Sequence, residues 1–174
     1  MTRPRPTVVL RLLREMEGYF ELGLHDDVIR RANQLLHDEP GLLAALRWKG
    51  RALQALERWP DAIAVYERLR AEEPEGDEAY LGLGWCHKRA GRLDLALASL
   101  EALVERRTDH ALAVYNLACY CAIDGQTERS LELLRRAVDR DATFRTHARD
   151  EADFDSIREE PRFRALLRDP SDDA

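Results

Sequence analysis

Five histidines and three cysteines are the side chains of this sequence best suited to hold a metal or attack a substrate. Their spacing argues against both. His25, His37, His87, His110 and His147 are scattered. None belongs to a His-Glu-x-x-His helix motif, and no glycine-rich phosphate loop is present. Cys86, Cys119 and Cys121 form no Cys-x-x-Cys pair, which predicts reduced, mostly buried thiols. The acidic run Asp150, Glu151, Asp153, Asp155 lacks the glycine and the ligand spacing of a calcium loop and reads as a solvated surface. The expectation is a chain without enzyme activity, metal or cofactor.

The elements that would position such residues show a more regular signal. Gly23 interrupts one helix-like stretch, and steps of 34 from it land on Glu57, Gly91 and Gly125, each between two helix-like segments. The same ruler divides the chain into residues 9–42, 43–76, 77–110 and 111–144, with no insertion. Internal repetition of this length predicts a stacked array of helix pairs. The expected remainder is an N-terminal extension over residues 1–8, a capping helix segment over 145–168 and a disordered acidic tail over 169–174.

Equivalent positions explain the period physically. Position 8 reads Met16, Gly50, Gly84, Ala118, and position 20 reads Val28, Ala62, Ala96, Ser130. Small residues there allow two antiparallel backbones to approach. Position 24 (Ala32, Tyr66, Leu100, Leu134) and position 27 (Leu35, Leu69, Leu103, Ala137) fill the space between pairs. Pro40 and Pro74, at position 32, end the second helix of their blocks. His87 and Cys121 share position 11 of successive blocks. Neighbouring packed helices would hold them ~10 Å apart, too far to share a zinc ion whose ligands sit about 2 Å from the metal. A thiol- or metal-dependent enzyme using Cys86, His87, Cys119 and Cys121 is therefore the remotest reading.

Composition is consistent with an ordered array. Hydrophobic residues at 45% and charged residues at 34% describe a globular chain. No apolar run reaches the roughly 20 residues of a membrane span. The N-terminal segment, broken by Arg11 and Arg14, does not read as a signal peptide, so the expected location is cytoplasmic. Of the net charge of −6, most lies between Asp150 and Ala174, where nine acidic residues face four arginines. The near-neutral body disfavours nucleic acid as a partner.

With these residues in place the chain resembles the tetratricopeptide repeat family over four blocks. The last block and "DEADFDSIREEPRFRALL" resemble the terminal segment of bacterial arrays of that family. Departures are visible. Position 4 (Leu12, Leu46, Tyr80, Val114) is never tryptophan, position 7 is Glu15 and Lys49 in the first two blocks, and Thr108 and Ala142 replace the proline in the last two. The resemblance implies an all-α fold, a right-handed superhelical α-solenoid of antiparallel helix pairs. Its end would be capped by Phe154, Ile157, Phe163, Leu166 and Leu167 on an inward side.

The resemblance also implies an adaptor or scaffold that binds a partner protein segment on a concave wall. That wall is lined by positions 2, 5, 9 and 12 of each first helix: Leu10, Leu13, Glu17, Phe20; Ala44, Arg47, Arg51, Gln54; Glu78, Leu81, Trp85, Lys88; Leu112, Tyr115, Cys119, Ala122. Arg89 and Asn116 stand beside it. The expected peptide-binding residues are Arg47, Arg51, Trp85, Lys88, Arg89, Tyr115 and Asn116, suited to an acidic segment with hydrophobic anchors. Trp48 and Trp59 read as packing residues. The family's clamp for a C-terminal carboxylate fits neither Leu13, Glu17, Trp48, Glu78, Gly82 nor Arg47, Arg51, Gly82, Leu112, Asn116. The alternative is self-association into a homo-oligomer through Leu10, Leu13 and Phe20.

Overall fold

A computed structural model describes residues 6–168, and expectations for residues 1–5 and 169–174 lie outside it. Eight helices follow the ruler: α1 Pro6–Glu21, α2 His25–Asp38, α3 Leu43–Ala55, α4 Trp59–Glu72, α5 Asp77–Arg89, α6 Leu93–Arg106, α7 Ala111–Ile123 and α8 Thr127–Arg140. The first residues of α2, α4, α6 and α8 stand 34 apart, as do those of α3, α5 and α7. Helix α1 begins before the ruler does, taking in Pro6, Thr7 and Val8. The cap is α9 Thr143–Asp150, a 3-10 turn over Ala152–Ile157, and α10 Pro161–Leu167. No strand occurs among the described residues.

The turns inside the four repeats are built alike. Gly23, Gly91 and Gly125 have φ of 72°, 73° and 77°, and the fourth equivalent residue, Glu57, has φ 57°. Each donates its N–H to the carbonyl three residues back, and the next residue donates to the carbonyl five back. The second set of bonds is Leu24 to Tyr19, Arg58 to Leu53, Arg92 to His87 and Gln126 to Cys121, at 2.8 to 2.9 Å. This paired pattern satisfies the last carbonyls of the first helix and requires a left-handed residue at the bend.

The chain divides into two compact units, one ending at Arg92 and one beginning at Leu93. In the first, α1 packs on α2, α2 on α3, α3 on α4 and α4 on α5. Its core runs through Leu12, Met16, Val28, Leu35, Leu46, Leu53, Leu69 and Leu83, all buried. Tyr66 of α4 locks three helices together. A Cβ on Gly50 of α3 would come within 2.8 Å of its ring and one on Gly82 of α5 within 2.6 Å, while its hydroxyl donates to Gln54 Oε1 at 3.0 Å. Two glycines are thus the slot for one aromatic ring.

In the second unit α6 packs on α7 and α7 on α8. Ser130, at the small position of α8, is fully buried and donates from Oγ to the Ala118 carbonyl at 2.8 Å, so the close helix approach carries a hydrogen bond as well. The cap packs its aromatic side inward: Phe154, Ile157 and Phe163 are buried, with Phe154 and Phe163 rings 5.3 Å apart. Ser156 Oγ donates to the Ala122 carbonyl at 3.0 Å, which ties the 3-10 turn to α7.

Candidate functional site

Each unit treats the predicted binding stripe differently. In the first unit the stripe residues Phe20, Arg51, Gln54 and Trp85, together with Ala55, Glu57, Trp59 and Arg89, line an open cleft of about 340 Å³. Helix α1 contributes Phe20, α3 contributes Arg51, Gln54 and Ala55, the α3–α4 turn contributes Glu57, and α5 contributes Trp85 and Arg89. Trp59, the first residue of α4, forms part of the wall. Three aromatic side chains and two guanidinium groups therefore meet in one concavity. Trp85 is 42% exposed, high for a large apolar side chain.

The cations of this region are held, each in its own way. Arg47 pairs with Glu73, and its Nε lies 3.1 Å from Glu78 Oε2. Arg51 Nε donates to the other Glu78 oxygen at 2.7 Å, with its guanidinium 5.7 Å from the Trp48 ring centre. Glu78 thus clasps both arginines, and α3 is tied to α5 through them. Arg89 lies 5.6 Å from the Trp59 ring centre and 3.8 Å from Glu57 Oε1. Lys88 Nζ stands 5.9 Å from the Trp85 ring centre. Such cation–π placements keep charge near the rings without neutralising it.

The predicted site residues are accordingly sorted. Arg51, Trp85 and Arg89 are brought together in the cleft. Arg47 belongs to the ion-paired seam between α3 and α5, where it faces two carboxylates. Tyr115 and Asn116 belong to the second unit. Tyr115 was expected on an open wall, and the structure covers it: Phe144 stacks on its ring at 4.5 Å and Phe154 meets it edge-on at 5.9 Å. It is 5% exposed, and burial raises its hydroxyl pKa above the usual value. Cys119 and Ala122 of the same stripe are also buried, whereas Leu112 stays exposed and Asn116 half-buried. The reason is the cap, which packs on α7 with the apolar side that the sequence had assigned to the end of the stack.

Three cleft residues escaped the stripe argument: Ala55, Glu57 and Trp59. Trp59 was expected to pack, and it does pack against the core while also bordering the cleft; Glu57 was read only as a turn residue. Ala55 and Glu57 come just after position 12 and Trp59 opens the helix beyond the turn, so side chains around that turn border the C-terminal end of the stripe. That adjacency is the signal that could have found them. Of the residues assigned to self-association, Leu10 is 58% exposed and Leu13 half-buried. Phe20 is tied to Trp48 and His25, with ring centres 5.6 and 4.9 Å away.

Two of the three cysteines lie where burial disfavours the reactive thiolate. All three cysteines are buried and unbonded to one another. Burial pushes the thiols of Cys86 and Cys121 up to about 11, since a thiolate is poorly solvated there. Among the described residues no group of three or more His, Cys, Asp or Glu is placed to hold a metal ion. Nor is any helix among them long and apolar enough to cross a membrane.

Comparison with known proteins agrees with this architecture. The sequence matches the tetratricopeptide repeat family over residues 48–102 and 87–143. No curated protein matches it significantly. Among solved structures, a MamA fragment from Desulfovibrio magneticus RS-1 is 22% identical, covers 90% of this chain and 88% of its own, and superposes with a TM-score of 0.73. The thermophilic TPR protein TTC0263 of Thermus thermophilus is 20% identical over 78% of this chain and 77% of its own, with a TM-score of 0.68. YrrB, described as a TPR protein with an unusual peptide-binding site, is 13% identical over 90% of this chain and 88% of its own, with a TM-score of 0.64. At these identities the likeness concerns the fold, an α-solenoid of helix pairs that generally serves protein–protein interaction. Since the family match spans more than half of the sequence and every repeat turn follows one pattern, the chain belongs to the tetratricopeptide repeat family.

Proposed function

We propose that the protein is a non-catalytic adaptor that captures a segment of a partner protein in the cleft of its first unit. The observation that carries this reading is the meeting of Phe20, Trp59 and Trp85 with Arg51 and Arg89 in one open concavity. Aromatic and arginine side chains dominate the energetics of protein recognition when they can be desolvated together. A large apolar side chain of the partner would lie against Trp85, Trp59 and Phe20. A neighbouring carboxylate would accept from Arg51, exchanging part of the Glu78 pairing for a ligand bond. Lys88, against the Trp85 ring, favours an acidic residue on that side. YrrB offers a precedent for peptide binding within the fold, though not for these residues.

The test is capture of the natural partner by immobilised protein, comparing wild type with Trp85→Ala. Truncating an exposed aromatic that lines the cleft should weaken capture about ten-fold or more, by analogy with interface anchors, while helical circular dichroism stays unchanged. Equal capture by the folded variant would rule the cleft out. Substitution of Arg47 is a poorer probe, because it also removes the ion-paired seam between α3 and α5.

A further inference from the structure

We infer that Glu57 is a specificity residue of this cleft, selecting a basic side chain on the bound segment beside its aromatic anchor. The inference rests on the reading of the cleft as a peptide site and adds the charge pattern of the peptide. It starts from a strained backbone. Of four equivalent turn residues, three are glycine, and only Glu57 holds a side chain at positive φ. A Cβ on Gly23, Gly91 or Gly125 would meet nothing within 4 Å, so the cost of a side chain at this bend lies in the backbone alone. Strained residues persist where another demand outweighs them, often at binding sites.

The fold itself gives no such demand. The Glu57 side chain is 68% exposed, and its contact with Arg89, at 3.8 Å, is too long for a hydrogen bond. Exposed ion pairs of this kind contribute little. What the side chain does is place a carboxylate on the wall of the cleft, beside Trp59. The Arg89 guanidinium, 5.6 Å from the Trp59 ring centre, already shows which group that corner accepts: a cation lying against both the carboxylate and the indole face. A ligand lysine or arginine would join or replace it there, since a carboxylate offers about four acceptor positions. Arg51, also on the wall, keeps the opposite preference. The segment recognised thus carries both signs around an aromatic residue, with its carboxylate towards Arg51 and its cation towards Glu57.

Two capped peptides differing at one residue, GSDFKSGS and GSDFESGS, test this on the full chain. Binding is followed through the indole N–H resonances of Trp48, Trp59 and Trp85 in 15N-labelled protein. Wild type should prefer the lysine peptide about three- to five-fold, the range expected of one exposed ion pair. Glu57→Gln should abolish the preference while keeping the spectrum of the folded protein, and Glu57→Gly should do the same while also removing the strain. A preference that is absent in wild type, or that survives in both variants, overturns the role of Glu57 while the cleft stands as a peptide site. If neither peptide moves the Trp59 or Trp85 resonance in any of the three proteins, the cleft reading fails, and this inference fails with it.

Discussion

At the residue scale, the tightest fit is Tyr66 between Gly50 and Gly82. A methyl group at either glycine would lie under 3.0 Å from the ring, and the ring is held by two helices and by its bond to Gln54. Gly82→Ala should therefore destabilise the protein by about 1–3 kcal/mol, as overpacked cores do. Tyr66→Phe should cost about 1 kcal/mol, the usual net worth of one hydrogen bond. Urea unfolding of both variants measures this, and an unchanged midpoint for Gly82→Ala would mean that the slot is not rigid. The buried thiols make a second residue-scale prediction. Raised pKa values mean that Cys86 and Cys121 remain protonated at pH 8 and lose protons only as pH approaches about 11. Iodoacetamide at pH 8 should leave both unlabelled in the folded chain and label them in urea.

At the element scale, the repeated unit is a helix, a left-handed bend and a second helix, and the bend is its most local instruction. Glycine meets it without strain at Gly23, Gly91 and Gly125, while Glu57 bears a backbone cost of roughly 1 kcal/mol or more. Glu57→Gly should accordingly raise stability by about 1 kcal/mol, and Gly91→Ala should lower it by a similar amount. A pair of thermal melts decides the point: a destabilised Glu57→Gly would show that the side chain stabilises the fold rather than a ligand complex. The period of 34 was legible because such bends, the small residues Gly50 and Ala62, and Pro40 and Pro74 act locally. Each constrains a few neighbouring residues and recurs with the chain.

At the scale of the whole molecule, the cap decides which stripe residues of α7 stay exposed. Phe154 is fully buried against Tyr115 and Phe163. Phe154→Ala should cost about 3–5 kcal/mol, in line with other buried phenylalanines, and should expose the apolar surface of α7 to the dye ANS. If dye binding stays at the wild-type level, the cap is not what shields Tyr115. By itself the sequence determined the helices, their turns, the antiparallel pairing and the buried side of the cap at Phe154, Ile157 and Phe163, though Leu166 and Leu167, read the same way, are only half-buried. All of these follow from periodicity, small residues and prolines that act within a turn or a single helix face. Tertiary structure alone decided which of the stripe stays open. Tyr115 lies on the same helix face as predicted but meets Phe144 and Phe154, distant in sequence. Arg47 is claimed by Glu73 of the α4–α5 connection and by Glu78 of α5, and Trp59, packed against the core, also borders the cleft. Helical period assigns a residue to a face, but whether that face meets water, an ion-pair partner or an aromatic ring depends on segments that only folding brings alongside it.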